Sequence, residues 1–136
     1  MVLSKRVLEF IEHEKVTVSK RSDLIIHVEF KPNTEITVEF QDELVAMYNQ
    51  LTGGKKSLFI FEGGEFVSIT KEARENAITI EDNTPTRASA IVVRNLAQKI
   101  VADFYYKINK PKQPFKVFWS FEKGIIWLQS LKIQDN

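Results

Sequence analysis

The sequence predicts an α/β protein with a mixed sheet: an N-terminal antiparallel meander followed by βαβ units, with helices packed on the sheet. Three observations lead there. Residues 7–31 read as VLEFIEH, KVTVSK and DLIIHVEFK, three β-rich pieces parted by polar breaks near Glu14 and at Lys20 to Asp23. Later apolar runs, SLFIF at 57–61, ASAIVV at 88–93 and PFKVFWS at 114–120, alternate with helical patterns, which argues for parallel pairing through right-handed crossovers. Arg87 to Tyr106 passes from a continuous apolar run directly into an amphipathic one, a buried strand feeding a helix.

Taken in order, the meander ends at Lys31, Pro32 and Asn33, because proline fixes φ and keeps the residue before it out of the α region. Thr37 caps a helix from about Val38 to Leu51, whose Phe40, Leu44, Met47, Tyr48 and Leu51 share one face. Glu39, Asp42 and Glu43 suit the positive end of its dipole, and Gly53 and Gly54 stop it. SLFIF is then a strand and EGGEF a turn. Phe66 to Ile69 leads to Thr70, the cap of a short helix with Ala73, Ala77 and Ile78 on its buried side.

TIEDNTPT at 79–86 is a loop by composition, delivering the chain to the 88–93 strand, whose near absence of polar residues predicts cover on both faces. Past the capping Asn95, residues Leu96, Ala97, Ile100, Val101, Phe104, Tyr105 and Ile108 form one helical face, expected to pack on the sheet. Pro111 and Pro114 bracket a loop before the last strand. Ser120 caps a final helix with Phe121, Ile125, Leu128 and Leu131 at helical spacing.

Composition narrows function mostly by exclusion. With 136 residues the chain is expected to form a single domain over 1–136. A formal charge of +1 gives no global pull toward nucleic acid or anionic membrane. The absence of cysteine removes disulfides, thiolate zinc sites, iron-sulfur clusters and a thiol nucleophile. MVLSKRVLEFIEHEK is charged and lacks the apolar core of a signal peptide, and no apolar run approaches the roughly 18 residues of a spanning helix. A cytoplasmic protein without integral membrane association is expected.

Three segments carry a family resemblance: SITKEARENA at 68–77, RASAIVVRNLAQKIVADFYY at 87–106, and PFKVFWSFEKGIIWL at 114–128 with its Trp127-Leu128 pair. Over roughly Ser57 to Leu131 they resemble the small STAS-like, SpoIIAA-like proteins related to anti-sigma-factor antagonists. In those antagonists a strand ends in an Asp-Ser-Ser-Gly-like turn whose serine, at a helix N-terminus, is phosphorylated to switch partner binding. The resemblance places Ser68-Ile69-Thr70-Lys71 at that turn, with Thr70 in the switch position and Ser68 beside it; the Asp and Gly of the pattern are absent. Gly124 stands where related closing helices carry alanine.

Candidate sites follow, each beside a plainer role. Ser68 and Thr70 suit a phosphoacceptor or anion-binding turn, since a helix start offers free N–H groups; simple capping is the plainer role and the favoured one. Arg94 and Asn95 end the central strand, where open α/β sheets place ligands, and Arg94 suits a carboxylate or phosphate; a solvated arginine beside a cap is the alternative. His13 and His27 lie in the meander with no acidic partner that the sequence places, so no metal site is expected. GGKKS at 53–57 is no phosphate-binding loop, because it ends a helix and precedes a strand, the reverse of the required order. Lys107, Lys110, Lys112 and Lys116 suit a helix C-terminus and a solvated loop. The late aromatics Phe115, Phe118, Trp119, Phe121 and Trp127 are core or, where exposed, a partner surface.

No nucleophile–base pair is placed and no cofactor is indicated, so the expectation is a non-enzymatic regulatory or protein-interaction module. It would bind a protein partner or itself, a homodimer included, and no nucleic acid. The alternative is a small-ligand or lipid-binding protein of CRAL-TRIO type, which requires an apolar cavity of roughly a few hundred Å³.

Overall fold

A computed structural model describes residues 7–134; the reading of the extreme N-terminus as no signal peptide falls partly outside them. Strands β1 (Val7–Glu12), β2 (Val16–Arg21) and β3 (Ile26–Phe30) form the antiparallel meander, and β3 continues into parallel pairing. With β4 to β8 numbered along the chain, the main sheet runs β1-β2-β3-β5-β7-β8, where β5 is Ser57–Gly63, β7 Thr86–Val92 and β8 Phe115–Phe118. The mixed sheet is as the sequence predicts. Two further strands, β4 (Glu35–Ile36) and β6 (Ser68–Ile69), pair in parallel as a separate two-stranded sheet.

Among the described residues four α-helices accompany the strands: α1 (Val38–Thr52), α2 (Lys71–Thr79), α3 (Leu96–Asn109) and α4 (Phe121–Gln134). The predicted caps are in place. Oγ1 of Thr37 accepts from Phe40 N at 3.1 Å, Oγ1 of Thr70 from Ala73 N at 3.1 Å, and Oδ1 of Asn95 from Gln98 N at 2.9 Å. Gly53 closes α1 at φ 65°, a left-handed conformation that glycine takes without a Cβ penalty.

Alternation along the strands sends side chains to opposite layers. On one face α1 packs Phe40, Leu44, Tyr48 and Leu51 onto Val16, Val18, Val28 and Phe59, all of them buried. On the other, α4 packs Ile125 and Leu128, each at 0% exposure, onto Leu58, Ile60, Ala88 and Ala90. Each such side chain contributes on the order of 1.5–3 kcal/mol of burial. Gly124 has a structural reason here: a Cβ at that position would stand 2.9 Å from Cδ1 of Ile60 and 3.5 Å from Cβ of Ala90. The glycine lets α4 lie close against β5 and β7.

Two expectations need correction. Glu62 and Gly63 belong to β5, so the turn begins later than EGGEF suggests. The helical face read as buried in α3 is largely exposed: Leu96, Ile100, Val101, Phe104 and Ile108 are each at least half exposed, and the line turned inward is Gln98, Ala102, Tyr105 and Asn109. Consequently β7 is closed on its α4 face alone. Its other face, through Ser89 and Ile91, is half-buried and borders a cavity.

Candidate functional site

Two features meet at the carboxyl ends of β3, β5 and β7, where a parallel sheet presents its ligand-binding edge. The first is a polar cluster on the α4 side. His27 and Glu29 lie two apart on β3 and so point to one face, and Glu62 on β5 stands in register opposite Glu29. Nε2 of His27 donates to Oε2 of Glu62 at 2.6 Å and lies 3.2 Å from Oε1 of Glu29. The Arg94 guanidinium pairs with Oε1, the other oxygen of Glu62. The side chains of His27 and Glu62 are 16% and 10% exposed, against 51% for Glu29. The Phe121 ring, at the start of α4, rests 4.8 Å from the His27 ring and limits its movement.

The hydrogen bond from His27, helped by its charge and by Arg94, holds the Glu62 carboxyl below the usual carboxylate range and outweighs the upward push of burial. Beside the cluster a cleft is rimmed by Glu29, Glu62, Gly64, Glu65 and Arg94.

The second feature is a cavity of about 660 Å³ on the opposite face, between α3, the helices α1 and α2, and β5 to β8. Its existence follows from how α3 is held. At one end Gln98 accepts from Arg94 N at 2.8 Å and reaches Gly63 O at 3.5 Å. At the other, Tyr105 and Tyr106 lie 5.4 and 5.6 Å from the Phe115 ring, and Nδ2 of Asn109 donates to Arg74 O at 3.3 Å. Between these supports the one buried side chain of α3 is the small Ala102, which leaves the space in front of Ile91 and Ser89 unfilled. The lining is predominantly apolar, with Phe30, Leu44, Phe61, Ile69, Ile91 and Val101 among its walls. Burial, with the nearby charge of Glu81, pushes the Tyr105 hydroxyl up to about 12, so it enters as a neutral hydrogen-bonding group.

Three of the four sequence-predicted site residues border these features, Asn95 both of them, and Thr70 lines neither. Ser68 and Asn95 line the cavity, Arg94 turns to Glu62 and the cleft, and Thr70 caps α2. Ser68 is exposed, with its N–H donating to Thr34 O at 2.9 Å. Sequence reasoning passed over Glu29 and Glu62, the acidic partners of His27. Nothing local announces Glu62, which lies 35 residues from His27 and next to a glycine pair.

Strand order, crossovers and helix placement together define the SpoIIAA-like class of α/β domain. A crystal structure of an uncharacterized protein from the DUF3478 family, with a SpoIIAA-like fold and from Shewanella loihica PV-4, matches with a TM-score of 0.60. The match covers 87% of this chain and 97% of that one at 14% identity. The chain belongs to the family described as Domain of unknown function (DUF7793), whose model matches residues 19–132. No curated protein matches it. Among the described residues, no helix is long and apolar enough to cross a membrane.

Proposed function

We propose that this chain is a non-enzymatic, cytoplasmic regulatory module of STAS-like type that docks a protein partner, or a second copy of itself, on the outer face of α3. The observation that carries this reading is the stripe Leu96, Ile100, Phe104 and Ile108, one turn apart and each at least half exposed. A soluble helix ordinarily turns such a stripe to the core, and exposed apolar patches of this kind mark interaction sites. In this reading Thr70 and Ser68 are the phosphoacceptors. A phosphate on Thr70 would sit at the N-terminus of α2, where free N–H groups and the dipole favour it.

Site-specific photo-crosslinking in the source cells tests the docking face. A crosslinkable residue at position 100 is expected to give a discrete adduct with a partner or with the chain itself, while one at Glu122, on the α4 side, gives none. No adduct from position 100, or equal adducts from both, contradicts the reading.

The cavity supports a second reading, an apolar small-ligand binder, because its volume and lining match those of small-molecule sites. Native mass spectrometry of the gently purified chain is expected to show a bound mass that disappears in Ser89→Phe, which fills the cavity from β7. Equal occupancy in both chains sinks this reading.

A further inference from the structure

We propose that His27, Glu29 and Glu62 bind a divalent first-row transition-metal ion at the carboxyl edge of the sheet. The cluster supplies one imidazole nitrogen and two carboxylate oxygens, all within 4.8 Å of one another. A tetrahedral ion with bonds of about 2.0–2.2 Å needs ligand atoms roughly 3.3–3.5 Å apart. The 3.2 Å from Nε2 to Glu29 is close to that, and the 2.6 Å from Nε2 to Glu62 has to open by under an ångström. One imidazole with two carboxylates is a mixed set, which suits a first-row transition ion better than magnesium or calcium, whose sites are built from oxygen alone.

The sheet register gives an independent reason. Glu29 and Glu62 are directly paired on neighbouring parallel strands and share a face, so two like charges face each other. Arg94 meets Glu62 through the oxygen turned away from His27, which leaves Oε2 to the imidazole side of the cluster. That is the usual position of an outer partner that orients a ligating carboxylate. An ion between Nε2 and the two carboxylates would balance the charge that the register gathers there. On binding, Nε2 turns its lone pair to the ion while the neutral ring carries its proton on Nδ1, and two bonds to carboxylate oxygen and one to nitrogen replace the hydrogen bond. Its fourth position is left to water or to a ligand entering from the cleft beside Arg94.

The chain lends itself to a clean test, because it has no cysteine and only two histidines. Tag-free protein, stripped with chelator, is titrated with Zn²⁺ by calorimetry at pH 7.5. The expected result is one ion per chain at micromolar affinity or better. Glu29→Gln, at a half-exposed position that leaves the fold intact, weakens binding by about tenfold or more. His27→Gln abolishes it at unchanged circular dichroism, and His13→Gln leaves it as in the parent chain. Absence of saturable binding, insensitivity to Glu29→Gln, or loss in His13→Gln would each overturn the proposal.

Discussion

Helices α3 and α4 are each 14 residues long and both were read from the same kind of apolar periodicity, yet they serve opposite ends. α4 is pressed into the sheet so closely that a Cβ at position 124 would crowd Ile60, and its Ile125 and Leu128 are fully covered. α3 is propped at both ends, buries Ala102 alone, and leaves a cavity behind and an apolar stripe in front. Periodicity reports that a helix has an apolar face. It does not report what covers that face, which is settled by where the helix ends are anchored.

The largest effect should separate the two helices by stability. Leu128→Ala removes a fully buried side chain and is expected to cost about 2–5 kcal/mol in urea unfolding, whereas Ile100→Ala is expected to stay within about 0.5 kcal/mol. A cost at Ile100 comparable to that at Leu128 would erase the contrast. Next comes Gly124→Ala. Helix propensity alone favours alanine by about 1 kcal/mol, but the contact with Ile60 turns this into an expected net loss of about 1–3 kcal/mol. Ile60→Val, which removes Cδ1, should restore much of it, and a stabilising Gly124→Ala would show that α4 packs less tightly.

The polar edge sharpens the comparison further. Because the Glu62 carboxyl is held low in the folded chain, it contributes stability that is complete above the ordinary carboxylate range and is lost as pH falls through its folded value. Arg94→Gln removes one of the supports of the charged form, so the acid-unfolding midpoint should move to higher pH, while the same titration of Lys123→Gln on α4 should not move. The smallest effect is expected from Glu29→Gln. In metal-free protein at pH 8 it relieves the facing carboxylates and should stabilise by about 0.2–1 kcal/mol in thermal unfolding. A loss of stability would show that the pair is already compensated.

Much of the fold could be read from residues alone. The meander, the three later strands, the caps Thr37, Thr70 and Asn95, and the crossover order are all local signals, and they agree with one another. The two-residue strands β4 and β6 escaped because a pair of residues has no period, and their pairing joins segments more than thirty positions apart. Glu62 was hidden by the glycines that follow it, which read as a turn although the strand runs on through Gly63. Its partnership with His27 and Glu29 depends on the β3–β5 register, and no local pattern encodes which residues two parallel strands set side by side. Arg94 was legible as a strand-end residue, but its carboxylate partner was not. The cavity arises from how α3 is anchored, and two of the anchors, Gln98 to Gly63 and Asn109 to Arg74, join segments 35 positions apart.

Hydrogen exchange on the free protein tests most directly the claim that α4 is fixed scaffold while α3 is held only at its ends. Amides of α4 around Ile125 and Leu128 are expected to exchange only through global unfolding, and those around Ala102 through local opening of lower free energy. Equal opening free energies for the two helices would contradict the account.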